Sequence, residues 1–197
     1  MTLVLASNSA SRQKILTHAG INFRAVGADV DEDTLKEKLQ QEGCDHKEIA
    51  EQLALAKARD VSRDFPEDHV IGGDQLLVCD GRLFSKARNL EEARDNLKFF
   101  RGKTHQLITS LVIFRGNEEV WRITTIPELT MRNFSDEFLD DYLDRSGPDV
   151  LSSVGCYFYE GLGAQLFSHI EGDYFSILGL PLIQLMKELR QLGYLNT

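Results

Sequence analysis

Val70-Ile-Gly-Gly-Asp-Gln-Leu-Leu-Val-Cys-Asp-Gly81 is the stretch on which the fold turns. Residues 70–78 are a mostly apolar run of strand length, and Asp80-Gly81 is a dipeptide that closes tight hairpins. Upstream of it, strands alternate with helices. Leu3–Ala6 reads as a short buried strand. Residues 9–19 read as a helix, with Ile15, Leu16 and Ala19 at helical spacing and Gly20 where it would end. Residues 23–26 read as a second strand, and residues 29–42 as an acidic, partly helical segment. Residues 45–63 form a clearer helix, with Ala50, Leu53, Ala54, Ala58 and Val61 along one face.

Downstream, the strands pair as hairpins. Asn89-Leu-Glu-Glu92 is a capping-box pattern that opens a helix with Leu90, Ala93, Leu97 and Phe100 in register. Residues 106–114 and 120–131 read as paired strands around Gly116-Asn117. Ser135 caps a helix carrying Phe138, Leu139, Tyr142 and Leu143, which Gly147-Pro148 ends. A Gly-rich, aromatic stretch covers residues 155–167. Pro181 sits as the first residue of a C-terminal helix through Leu192. The order predicts an α/β fold with a mixed central sheet flanked by helices. No repeat, low-complexity tract or composition break marks a linker, so one domain over residues 1–197 is expected.

Of 197 residues, 42% are hydrophobic and 27% charged, which suits one globular domain with a real core. Asp plus Glu total 31 against 22 Lys plus Arg, so the net charge is −9. A nucleic-acid polymer needs a basic face, and so does an anionic membrane surface; both partners are therefore disfavoured. A small polyanion would need locally concentrated cations or a recruited metal. Cys44, Cys79 and Cys156 are far apart and form no C-x-x-C pair. That argues against a disulfide framework or a zinc knuckle and for a reducing compartment. The apolar N-terminal run has no basic region before it and is interrupted by Ser-Asn-Ser, so it reads as a strand and not as a signal peptide. No apolar stretch reaches the ~18 residues of a membrane span. A cytoplasmic protein is expected.

Four features could carry chemistry. Ser7-Asn-Ser-Ala-Ser-Arg12 lies between a strand and a helix, where free N–H groups, three hydroxyls and a guanidinium could bind phosphate. The same residues also suit plain N-capping by Ser9 or Ser11. The segment lacks the glycines of a Walker loop or a dinucleotide fingerprint. Gly72-Gly73-Asp74-Gln75 places a carboxylate in an apolar strand behind two glycines. It fits a metal ligand or general base, and equally an Asp-containing strand end. Lys57 projects from the apolar face of its helix, either snorkelling or delivering its ammonium to a cleft between helix and sheet. Asp31-Glu32 and Lys86 read by default as solvated charges. Glu160 lies in Tyr157-Phe-Tyr-Glu-Gly-Leu-Gly163, where aromatics and glycines could form a flat base-binding pocket. The five histidines show no metal spacing, and no G-x-S-x-G elbow is present.

Taken in order, these pieces resemble the Maf, or septum-formation-inhibitor-like, family of nucleoside triphosphate pyrophosphatases. The matching segments are Leu-Ala-Ser7-Asn-Ser9-Ala-Ser-Arg12, Val30-Asp-Glu32, Leu55-Ala-Lys57-Ala58, Gly73-Asp74-Gln75 and Ser85-Lys86-Ala87. Arg101-Gly-Lys-Thr-His105 with Thr109, Tyr157 to Gly163, Glu171-Gly-Asp173 and Gly179-Leu-Pro-Leu182 complete the series.

The resemblance implies hydrolysis of the α–β phosphate bond to a nucleoside monophosphate and pyrophosphate. It implies a divalent metal (Mg²⁺ or Mn²⁺), an inosine-triphosphatase-like fold of two lobes with a cleft, and a homodimer. It makes Asp74 the proton acceptor and, with Glu32, a metal ligand. Arg12, Lys57 and Lys86, with the Ser7 and Ser9 hydroxyls, would hold the triphosphate. Ser11, Gln75 and Glu160 fall at three specificity positions. Gln75 and Glu160 match the branch that resembles 7-methyl-GTP pyrophosphatase. A carboxylate suits guanine, since it can accept from the ring N1–H and the exocyclic amine together. A methylated, cationic ring would gain from stacking on Tyr157 or Phe158. Ser11 departs from both branches; so do Ala10, Gln13, Ser85 and Ala87 from their usual counterparts. The reading is a house-cleaning enzyme for 7-methyl-GTP or a related modified nucleotide. The alternatives are a dTTP/UTP pyrophosphatase, or a mainly non-catalytic, nucleotide-sensing regulator of cell division.

Overall fold

The four residues of β1 (Leu3–Ala6) are all apolar and all buried, as expected for a strand covered on both faces. The structure is a computed structural model, and it describes residues 2–196. After β1 come α1 (Ala10–His18), β2 (Arg24–Val26), α2 (Glu32–Gln41), α3 (His46–Ser62), β3 (His69–Cys79) and β4 (Arg82–Phe84). Next are α4 (Leu90–Phe100), β5 (Thr104–Arg115), β6 (Glu118–Thr125), β7 (Glu128–Met131) and α5 (Asp136–Ser146). The described chain ends with β8 (Phe167–Glu171), α6 (Tyr174–Ile177) and α7 (Leu182–Gln191). The strands form one mixed sheet: β1 pairs in parallel with β2 and β3, while β4, β6, β7 and β8 pair antiparallel.

The chain divides into two compact units. The first takes the residues up to Gln75, Ile108–Thr125 and those from Asp173 on; the second takes Leu76–Leu107 and Ile126–Gly172. β3 and β5 each run through both.

In the first unit, strand alternation separates two cores. Leu3, Leu5, Ile71, Leu111 and Ile113 pack with Ile15 and Leu16 of α1 and Leu182, Leu185 and Leu189 of α7. Val4, Ala6, Val70, Val112 and Phe114 face the other way, onto Ala54, Ala58 and Val61 of α3. Each buried Leu, Ile or Val contributes about 1.5–3 kcal/mol. Helix α3 has a full capping box: Glu48 N donates to Asp45 and Asp45 N donates to Glu48, both at 2.8 Å.

In the second unit, Asp80 and Gly81 both have positive φ (51° and 73°), the I′-like turn expected of this dipeptide. The capping box read at Asn89 is only half made. Asn89 Oδ1 accepts from Glu92 N at 2.8 Å, but Glu92 turns to the N–H and side chain of Arg88. The single strand expected over residues 120–131 is two, β6 and β7. Pro127 interrupts it, because a proline has no N–H to give a ladder; its carbonyl accepts from Leu107 instead. Residues 167–171 and 174–177 form β8 and α6, two short elements beyond the Gly-rich, aromatic stretch that the sequence pattern does not announce. Pro181 is the N-cap of α7 and not its first helical residue.

An aromatic cluster fills the core of the second unit. Phe84 lies 4.7 Å from Phe100 and Tyr157 4.9 Å from Phe167, ring centre to ring centre. Within it His105 is fully buried, its Nε2 2.7 Å from the Tyr157 hydroxyl. Its Nδ1 has no hydrogen-bond partner among the described residues. Burial pulls the imidazole down to about 4 from 6.5. The unfolded chain therefore takes up this proton near pH 6.5 and the folded chain only near pH 4. Between those values protonation favours unfolding, so stability falls as pH drops through that window, by about 3 kcal/mol in all. Urea titrations at pH 7, 5.5 and 4 are expected to show a shallower decline for His105→Gln than for the wild type; parallel profiles would refute the assignment.

Candidate active site

Strand β3 sends its side chains to two faces in turn. Val70 packs on α3 and Ile71 on the opposite core. Gly72 faces α3 so closely that a Cβ there would run into the Ala54 carbonyl oxygen and reach 2.7 Å from Ala58. Gly73 faces the other way, where a Cβ would meet Leu111 at 2.6 Å and the Arg12 guanidinium at 3.4 Å. Asp74 then points to the α3 face and Gln75 to the opposite one. The two glycines are thus close-approach positions, and each precedes by two residues a side chain on its own face.

The Gly72 contact lets α3 press onto the strand, and Lys57 lies one turn beyond Ala54. Its ammonium reaches Asp74 Oδ1 at 2.7 Å and Glu32 Oε1 at 2.8 Å. Glu32 is the first residue of α2, whose N-cap is Asp31. So Asp31 is a solvent-facing cap, while Glu32 turns inward to an ion pair. Asp74 is 5% exposed, and its Oδ2 has no hydrogen-bond partner among the described residues. A carboxylate buried this far needs a cation beside it, and Lys57 supplies one.

Arg12 falls inside α1, which begins at Ala10 with Ser9 as its N-cap. Its guanidinium is buried and tied to the backbone: Nε donates to Gly179 O at 2.8 Å and Nη1 to Gly73 O at 2.9 Å. Burial pushes the guanidinium pKa down, and the charges of Asp74 and then Glu32 push it back up. Arg12 is therefore a clamp joining α1, β3 and the turn before α7, as well as a cation. Ser7 Oγ accepts from Ser9 N at 3.1 Å and from Arg12 Nη1 at 3.4 Å, which leaves its own O–H to donate. Ser9 Oγ accepts from Arg12 N at 3.4 Å in the same way. Ser11 is partly exposed on α1.

The amide of Gln75 is locked. Its Nε2 donates to Thr109 Oγ1 at 2.8 Å, Ile177 O at 3.1 Å and Ser176 O at 3.2 Å. Three acceptors on one side force the nitrogen towards them and turn Oε1 away. Thr109 and the carbonyls of Ser176 and Ile177 had no assigned role in the sequence. Thr109 carried a signal, a hydroxyl amid the apolar residues of β5, whereas backbone carbonyls carry none.

The first unit thus gathers Ser7, Ser9, Arg12, Glu32, Lys57, Asp74 and Gln75. Two cations face two anions here, so this site does not share the acid excess of the chain. Lys86 and Glu160 belong to the second unit. Both are exposed, Lys86 between β4 and α4 and Glu160 just before a 3-10 turn at Leu162–Leu166. Tyr157, a candidate for stacking on a base, is core: it is buried and hydrogen-bonded to His105. No cluster of three or more His, Cys, Asp or Glu side chains able to hold a metal occurs among the described residues. Glu32 and Asp74 are instead a two-carboxylate set, with an unpartnered oxygen on Asp74. That suits a hard cation such as Mg²⁺, which binds through one or two carboxylates plus phosphate and water.

The family model described as Maf-like protein matches residues 2–192. A nucleoside triphosphate pyrophosphatase of Granulibacter bethesdensis is 50% identical over 97% of this chain and 97% of its own length. One from Rhodospirillum rubrum is 45% identical, over 98% and 96%. A 7-methyl-GTP pyrophosphatase of Rhizobium meliloti is 42% identical, over 99% and 98%. Among the described residues no helix is long and apolar enough to cross a membrane. With a family model matching nearly end to end and relatives this similar over their full length, the chain belongs to the Maf family.

Proposed function

We propose that this Maf-family nucleoside triphosphate pyrophosphatase acts on 7-methyl-GTP or a related modified purine nucleotide. The observation that carries the hydrolytic reading is the buried Asp74 carboxylate, with one oxygen held by Lys57 and the other without a hydrogen-bond partner among the described residues. A water attacking the α-phosphorus needs a base, and the Asp74 carboxylate would take its proton once substrate opens a path to it. The new bond joins the water oxygen to the α-phosphorus. The bond to the bridging oxygen breaks, and pyrophosphate leaves.

Arg12, Lys57 and Lys86 are the cations for the triphosphate, and the Ser7 and Ser9 hydroxyls add donors. Glu32 and Asp74 would hold a divalent cation, Mg²⁺ or Mn²⁺. When bound, it would offset charge developing on phosphate oxygens.

The guanine-type reading is supported by Gln75 and Glu160 and by the names of relatives such as that of Rhizobium meliloti. A locked Gln75 offers Oε1, an acceptor, and guanine is rich in N–H donors. Glu160 would accept from two of them. Glu160→Gln is expected to reduce kcat/KM for guanine-type substrates by roughly 1–3 kcal/mol, about 5- to 150-fold, the worth of one bidentate base contact. Unchanged kinetics would remove Glu160 from base recognition.

The direct test is pyrophosphate release from a nucleotide panel with Mg²⁺ or Mn²⁺. Preference for 7-methyl-GTP over GTP, dTTP and UTP is expected. Preference for dTTP and UTP would assign the pyrimidine branch instead. A cytoplasmic homodimer fits this role; sizing chromatography of the purified chain tests the dimer.

A further inference from the structure

We infer that Lys57 is a built-in cation that holds the place of the divalent metal between Glu32 and Asp74 and gives way when the metal binds. The inference rests on the metal-assisted reading above and adds a second state of the site.

Glu32 and Asp74 come from different elements, α2 and β3, and among the described residues the Lys57 ammonium is what joins them, at 2.8 Å and 2.7 Å. Two carboxylates brought this near repel unless a cation lies between them. Asp74 is also too deeply buried to be left uncompensated. Yet the ammonium does not saturate the pair, since Asp74 Oδ2 keeps no partner among the described residues. One ammonium in contact, with the Arg12 charge acting from further off, thus serves two negative charges and a spare buried oxygen.

The residue type suits a temporary occupant. The base of the Lys57 stem lies along the face of α3 that carries Leu53, Ala54, Ala58 and Val61. Its four methylenes let the ammonium swing while the helix stays packed. An arginine fork, by contrast, would be committed to one geometry. Arg12 is such a committed cation here, fixed on two backbone carbonyls. Release of Lys57 would free the Asp74 carboxylate to hold the metal. It also frees an ammonium for phosphate. The same group first keeps the empty site assembled and then binds substrate.

The test needs no nucleotide, so it is independent of whether the chain hydrolyses one. Thermal unfolding of wild type, Lys57→Met and Lys57→Met/Asp74→Asn is followed with and without millimolar Mn²⁺. Lys57→Met without metal is expected to melt roughly 5–15 °C below wild type, as when a buried ion pair loses one partner. Mn²⁺ should recover at least half of that loss. It should shift the wild type by less than about 2 °C, because there the metal must first displace the ammonium. The double variant should lose the Mn²⁺ response. A Mn²⁺ shift in Lys57→Met no larger than in wild type overturns the inference. If Lys57→Met does not fold, crystals of the wild type soaked in Mn²⁺ decide. Lys57 Nζ should leave its position between the carboxylates as the ion enters. Both ion pairs intact after the soak, with Mn²⁺ bound or absent, overturns it equally.

Discussion

Asp74→Asn is expected to lower the rate of pyrophosphate release by roughly 10²–10⁴-fold, the range for loss of a general base. The amide is isosteric, so β3 and its neighbours need not move. Lys57 keeps Glu32 as a partner, and the substitution removes a buried charge instead of stranding one. A loss of activity with little loss of stability is therefore the signature of a chemical role. The measurement is kcat on the best nucleotide of the panel, with a thermal melt of the same preparation. A rate within tenfold of wild type would take the base role away from Asp74. A wild type that releases no more pyrophosphate than Asp74→Asn from any triphosphate would favour the non-catalytic, nucleotide-sensing reading.

Gly72→Ala is expected to be the most damaging one-carbon change in the first unit. Its new methyl would meet the backbone of α3, the Ala54 carbonyl and the Ala58 nitrogen, and a helix backbone cannot rotate aside as a side chain can. Strand and helix must separate. Overpacking typically costs 1–3 kcal/mol, and this contact belongs at or above the upper end, about 3 kcal/mol. That corresponds to a fall of about 6–12 °C in Tm for a chain of this size. Any displacement of α3 also carries Lys57 away from Asp74, so activity should fall in the fraction that stays folded. Gly73→Ala is the control. Its methyl meets the tip of Leu111, which can turn, and about 1 kcal/mol is expected. Urea midpoints for both variants check the ranking. A Gly72→Ala protein within 1 kcal/mol of wild type would mean that the close approach is not structurally demanding.

The elements that were legible are those with strong periodicity or punctuation. β1, α1, α3, β3 and the Asp80-Gly81 hairpin could be read because burial on two faces, helical spacing and obligatory positive φ each leave a local mark. The misses have non-local causes. Residues 120–131 look like one strand until Pro127 is required to donate to a ladder. β8 is five residues long and mostly solvent-facing, so it lacks the alternation that would announce it. At the site, Asp74 and Lys57 were readable as polar groups in apolar settings, but their pairing was not, since it depends on how closely Gly72 lets α3 approach. Arg12 was legible as a cation and not as a clamp, because its acceptors are carbonyls of Gly73 and Gly179. Tyr157 was misread for the opposite reason: an aromatic near glycines looks like a ligand platform until His105 is seen to take its hydroxyl.

The clamp made by Arg12 has a consequence for how the protein is made. Its two ends, Arg12 and Gly179, are 167 residues apart in the chain. The leucines of α7 that close the core over β1 and α1 are synthesised long after them. At typical elongation rates the N-terminal strand and helix wait roughly 10–30 s on the ribosome for those partners. The first unit is thus assembled from segments far apart in the chain, and it can close only once α7 has been made. A chain stopped before Gly179 would lose part of its core and, at the same time, the carbonyl that holds Arg12.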